Sequence, residues 1–417
     1  IIFLFAPGFL DNPEQFDLAV TLTRWMAPFL LGIGLAAFFN GLLNTMQVFA
    51  LPAAAPVLLN LSMIGAALWL SPRMETPILG LAAGVILGGA LQFIFVLPAA
   101  RRRGFRFSRV WNWRDPGLTR MFRLMGPAVL GLAVYEVNLL VDTLLASLLP
   151  GGSISYLYYA NRLVQLPLGV FGVALGVVLL PNLAGQAAKQ DWVGLRETLA
   201  FGIRFVLFIT IPATVGLILL REPIIHTLWE RGEFTPAVTD GTAVGLLYYT
   251  VGLCAFAGSK VLTSAFYSMQ DTKTPVKVGI WAMGLNIVLN LALMGPMLHG
   301  GLALATSLAA MFNAAVLLHL LRQRLGLLGG RQILRTTLKV AAAAVLMGLL
   351  VYGFNLAFFD RAAGTVYKAF ILMLSIALGG MSFGVLTHWM KIEELRHFLD
   401  LKKGKPGSGI PVNGNGD

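Results

Sequence analysis

The segment Asn44–Pro56, NTMQVFALPAAAP, has a counterpart in Tyr267–Lys277, YSMQDTKTPVK. Both contain M-Q-x4-P: Met46, Gln47 and Pro52 in the first, Met269, Gln270 and Pro275 in the second. Met269 follows Met46 by 223 residues. Further short matches keep nearly that offset: PILGLA at 77–82 with HGGLA at 299–303, and RRRG at 101–104 with RQRLG at 322–326. Order and spacing held over about 80 residues mark a duplicated unit.

The surroundings of both copies are apolar. Of 417 residues, 57% are hydrophobic and 12% charged, about half the charged share of a soluble domain; the mean hydropathy is +0.77. Apolar blocks recur at 20–48, 54–71, 77–99, 122–148, 155–182, 200–220, 240–268, 275–297, 301–322, 336–359 and 366–390, each about long enough to cross a bilayer as a helix. Residues 1–5 read as the end of another span. Short alternating segments of the β-barrel type do not occur, and the single cysteine, Cys254, excludes an intramolecular disulfide. The net charge of +12 suits basic cytoplasmic loops rather than nucleic acid.

Loop charges alternate along the chain. DNPEQFD is acidic, RRRGFRFSRVWNWRD strongly basic, PGGSIS neutral; Lys189 and Arg196, then Lys273 and Lys277, then Arg322, Arg324, Arg331 and Arg335 stand in every second loop. The positive-inside rule therefore expects the 100–121 linker and the C-terminus in the cytoplasm. Both copies of the repeat share one membrane orientation, as parallel repeats do. The second copy begins near Gly126, and the offset predicts about 100 residues ahead of Ile1 in the parent chain. The expected fold is an all-α polytopic membrane protein: two pseudo-symmetric six-helix lobes plus two C-terminal helices, some fourteen helices in the parent and about eleven complete here. The parts are 1–104, the remainder of the N-terminal lobe; 105–121, a cytoplasmic linker; 122–325, the C-terminal lobe; 326–390, two extra helices; and 391–417, a polar tail ending KKGKPGSGIPVNGNGD.

With this architecture the sequence resembles the MviN/MurJ family of lipid II flippases, within the superfamily of multidrug and polysaccharide-lipid exporters. The residues that carry the resemblance are FYSMQDTKTPVK, YYANRLVQLPLGVFGVALGVVLLP, GLLNTMQVFALPAAAPVLLN and LWERGEFT. It implies movement of lipid II, an undecaprenyl-linked peptidoglycan precursor, from the inner to the outer leaflet of the bacterial cytoplasmic membrane. It also implies contact with membrane lipids, a monomer, and cell-wall synthesis proteins as compatible partners. A cation-coupled drug or other polysaccharide-lipid exporter is the alternative on the same fold. Many family members carry Asp-Arg with a glutamate three residues on; here the positions read Asn161-Arg162 with Gln165.

Ionisable groups inside spans are costly and so mark candidate sites. Arg162, beside Asn161 and Gln165, can bind a pyrophosphate bidentately; alternatively it pairs with Glu136 or Asp142, or snorkels outward. Lys260, within LCAFAGSKVLTSAFY, either lines a cavity as a second substrate-binding cation or snorkels to the interface. Arg24, Arg123 and Arg204 lie near span ends and read as interface anchors. Asp142, Asn286, Asn290 and Thr306 supply hard oxygen donors suited to sodium; alternatively they bond helix to helix. No other cofactor is expected. Neither a zinc-protease, a nucleophile-elbow nor a Walker signature is present, so the reading is a transporter, not an enzyme, driven by an ion gradient, a membrane potential or product consumption.

Overall fold

The computed structural model describes residues 2–106, 115–392 and 394. Residues 107–114 of the basic linker, the polar tail and the side chain of Arg123 lie outside the described residues. The chain forms two compact units, Ile1–Gly126 and Pro127–Asp417.

In the first unit, α1 (Ile2–Phe5) leads through a 3-10 turn, Pro7–Asp11, into α2 (Pro13–Thr45). Asn12 caps α2 by accepting from the Gln15 amide at 3.3 Å, and Pro13 stands where a missing N–H costs nothing. Next come α3 (Ala50–Gly65), extended through a π turn to Leu70, and α4 (Pro77–Arg102). Helix α4 packs on both α2 and α3. Small residues permit this: a Cβ on Gly32 would lie 2.8 Å from the Gly89 carbonyl carbon, so the two backbones touch, the usual means of tight helix approach in lipid. Ser62 donates to the Gly84 carbonyl at 2.7 Å across the α3–α4 seam.

The second unit holds most of α5 (Pro116–Ser147), then α6 (Ser153–Ala188), α7 (Trp192–Trp229), α8 (Pro236–Val251), α9 (Leu253–Ser268), α10 (Lys273–Leu325), α11 (Gly330–Phe358) and α12 (Thr365–Trp389). Each span expected from the sequence falls on a helix, with one feature that apolar length did not reveal. The 240–268 span is broken at Gly252, where α8 and α9 meet at 42°. The 275–297 and 301–322 spans are limbs of one element, α10, that reverses at Leu298 (φ 50°, ψ −136°). Pro296 removes an N–H just before the break, and Gly301 lets the returning limb lie directly on the Leu293 carbonyl. Asn286 reaches Thr306 at 3.3 Å, which only antiparallel limbs allow.

Three buried clusters organise this unit. Leu157, Leu163, Leu246 and Leu302 join α6, α8 and the second limb of α10. Leu183, Leu199, Phe266 and Leu317 join α6, α7, α9 and α10. Phe205, Val340, Met347 and Phe383 dock α11 and α12 on α7. An ion pair stands at each end of that last contact: Arg204–Glu394 at 2.6 Å, and Arg361–Glu222. Arg204, expected as an interface anchor, is half-buried and pairs with an acid from beyond α12.

The repeated M-Q is one device used twice. Met46 and Met269 end their helices with φ near −87° and −86°, and Gln47 and Gln270 turn left-handed at φ 60° and 61°. The following amides, Val48 and Asp271, reach back to Leu43 and Phe266 carbonyls at 2.9 Å each. This is the six-to-one bond of a Schellman cap. In the second copy Asp271 then caps α10, accepting from Lys273 N at 3.1 Å and Thr274 N at 2.9 Å. Arg324 pairs with it at 2.6 Å. Partial burial opposes the Asp271 charge, but Thr274 and Arg324 outweigh it and hold the carboxyl at about 2.

Among the described residues, seven helices are long and apolar enough to cross a membrane, or eight counting the bent α8–α9 pair. With α10 doubling back, this is a multi-pass helical membrane protein.

Candidate functional site

A cavity of about 430 Å³ opens within the second unit. Helix α5 contributes Asn138 and Asp142, α6 Asn161 and Gln165, α9 Ser259 and Lys260, and the second limb of α10 Thr306 and Asn313. Position along each helix explains this: Asn138 and Asp142 are four apart, as are Asn161 and Gln165, so each pair shares a face. The bend at Gly252 turns α9 so that Ser259 and Lys260 reach the lining. Near the break the Tyr248 carbonyl accepts from Ser307 Oγ at 2.7 Å, and the Tyr249 carbonyl, which also takes the Gly252 amide at 3.1 Å, lies 3.3 Å from the same hydroxyl.

At one wall stands Asp142, 8% exposed. Its Oδ1 accepts from Asn290 Nδ2 at 2.7 Å; its Oδ2 accepts from Thr306 at 3.3 Å and from Asn138 at 3.5 Å. Asn290 Nδ2 also donates to Asn286 Oδ1 at 2.9 Å, and both asparagines are fully buried. The four residues grouped from sequence as a sodium candidate thus meet in one place, drawn from α5 and both limbs of α10. Asn138 joins them; its spacing from Asp142 was the available signal. Also in the lining, Asn313 donates to Ser259 at 3.5 Å while its own Oδ1 is buried without a hydrogen-bond partner among the described residues.

Lys260 is exposed at the cavity and is the one cation among the described lining residues. Arg162 is elsewhere. It is exposed, donates to its own-helix neighbour Tyr158 Oη at 3.0 Å and stacks on that ring at 5.2 Å. It makes no ion pair with Glu136 or Asp142 among the described residues. Asn161 and Gln165 line the cavity, so the polar segment of α6 divides: amides inward, guanidinium aside.

The whole of this site lies inside the stretch matched by a known family. Residues 1–374 match the model described as lipid II flippase MurJ. The chain belongs to the lipid II flippase MurJ family. A probable lipid II flippase MurJ of Vibrio cholerae is 41% identical over 374 residues, 88% of this chain and 70% of that protein. One from Haemophilus influenzae is 39% identical, covering 82% and 68%. Among solved structures, lipid II flippase MurJ in its inward closed conformation superposes with a TM-score of 0.77 at 25% identity, over 93% of this chain and 78% of that one. The MurJ fold therefore accounts for the helices described above, and membership makes the protein a transporter, not an enzyme.

Proposed function

We propose that this protein flips lipid II from the inner to the outer leaflet of the bacterial inner membrane by alternating access, with its C-terminus in the cytoplasm. The observation that carries this is the match to the lipid II flippase MurJ family along residues 1–374. The chemistry of the cavity supports it. A lipid-linked pyrophosphate is anionic, its sugars and peptide are rich in amides and hydroxyls, and the lining offers Lys260 with Asn138, Asn161, Gln165, Ser259 and Asn313. In this proposal two lobes, 1–104 and 122–325, rock between inward-open and outward-open states. Lys260 and Arg162 hold the pyrophosphate, Asn161 and Gln165 hold the head group, and α11 and α12 pack beside the prenyl tail.

The cavity and the position of Arg162 make distinct demands. Lys260→Ala removes the lining cation, and Arg162→Ala removes a guanidinium that must leave Tyr158 to meet substrate. Both variants are expected to insert normally and to fail in a strain depleted of its own flippase. A loss of transition-state or substrate contact by one charge-assisted bond predicts roughly 10-fold or more slower flipping in vesicles. Normal growth of both variants would overturn these roles. Binding of purified protein to lipid II against cationic dyes separates this reading from a drug exporter.

A further inference from the structure

Asp142, Asn286, Asn290 and Thr306 are of the right types to hold an alkali cation, because every one of them carries a hard oxygen. Their arrangement is not that of a cation site. A cation needs lone pairs converging on a point, and here an N–H group occupies the convergence: Asn290 Nδ2 lies 2.7 Å from Asp142 Oδ1 and 2.9 Å from Asn286 Oδ1.

The amide orientation is dictated by its partners. Turning Asn290 over would set its carbonyl oxygen against the carboxylate, two acceptors at hydrogen-bond distance. In the observed orientation Asn290 Oδ1 is buried with no partner. An unsatisfied buried carbonyl is unfavourable, and it is tolerated because the N–H donated to a buried charge is the stronger interaction. Turning Asn286 over does not free the point either. It places that NH2 3.2 Å from Asp142 Oδ1 and 3.1 Å from Asn138 Oδ1, a second N–H donor on the same carboxylate, and sets it 2.9 Å from Asn290 Nδ2 in place of the bond between the two amides. In both arrangements Asp142 accepts from amide N–H and hydroxyl donors of its own chain.

We propose that in this protein the Asn290 carboxamide takes the place of the cation, so that the junction of α5 with the two limbs of α10 is closed by internal hydrogen bonds and binds no sodium. The residue at 290 decides it: an aspartate there would bring two oxygens and a second negative charge, and the donor set would then need a cation between its carboxylates.

The test is thermal unfolding of the purified full-length protein in a sodium series, against potassium and N-methylglucamine chloride at matched ionic strength. A ligand bound only by the folded state raises the melting temperature with its concentration. The wild-type protein is expected to melt within about 1 °C in all three salts. A saturable rise specific to sodium would overturn the proposal. Asn290→Asp is expected to gain such a rise, or to be recovered folded only in sodium. An Asn290→Asp protein that folds in every salt and ignores sodium would equally overturn it. Should that variant fold in no salt, the wild-type series alone decides. No transport step enters the measurement, so its outcome is independent of the flippase reading.

Discussion

Replacing Gly252 by alanine probes the bend that carries Lys260 to the cavity. Gly252 has φ −82° and ψ −6°, a conformation any residue adopts, so the cost of the substitution is steric alone. The added Cβ would lie 2.6 Å from Ser307 Oγ and 2.8 Å from both Ser307 Cα and Cβ. Carbon atoms in contact sit about 3.5–4.0 Å apart. The second limb of α10 must therefore retreat by most of an ångström. Overpacking of this kind costs about 1–3 kcal/mol. The retreat also stretches the Ser307 bonds to Tyr248 and Tyr249, and interhelical hydrogen bonds in membranes contribute about 0.6 kcal/mol each. Together the loss should be about 2–4 kcal/mol, read by equilibrium unfolding in mixed micelles with an unchanged denaturant slope. Adding Ser307→Gly removes the side-chain clash but leaves the new methyl pressed against the backbone at 307, so recovery should be partial. A Gly252→Ala protein within about 0.5 kcal/mol of wild type would refute the close packing at this bend.

Two further substitutions test the supports of the second unit. Glu394→Gln leaves Arg204, 11% exposed, without its buried partner and should cost about 3–5 kcal/mol, whereas Arg204→Met with Glu394→Leu should cost much less; equal losses in the two proteins would contradict a buried ion pair. Asp271 is held at about 2, below its usual 3.8, so its contribution to stability is fully present above the ordinary carboxylate value and is lost only as pH falls through the lower one. The stability difference between wild type and Asp271→Asn should accordingly stay flat from neutral pH down to about 4 and shrink toward pH 2, and a difference that fell away near pH 6 would count against the Thr274 and Arg324 contacts.

Much of the fold could be read from consecutive residues. The length of each apolar run fixes how many helices cross. The M-Q pair marks a Schellman end because that cap depends on the backbone of six successive residues, which is why Gln47 and Gln270 share a left-handed φ in helices otherwise unlike. The separate apolar runs 275–297 and 301–322 already placed a turn where α10 reverses. The family resemblance rested on such local stretches and held.

Only the tertiary structure decided which side chains meet. Arg162 sits in the most recognisable helix, yet it lies off the cavity, on Tyr158, while its neighbours Asn161 and Gln165 face in. Asn290 donates to Asp142 across 148 residues of chain, and Arg204 finds Glu394 across 190. Hydropathy says that a segment spans the bilayer but not how it is turned about its axis. That rotation is set by close packing between helices, such as Gly252 on Ser307, and through it the sequence's scattered amides become one hydrogen-bonded cluster around a single buried carboxylate.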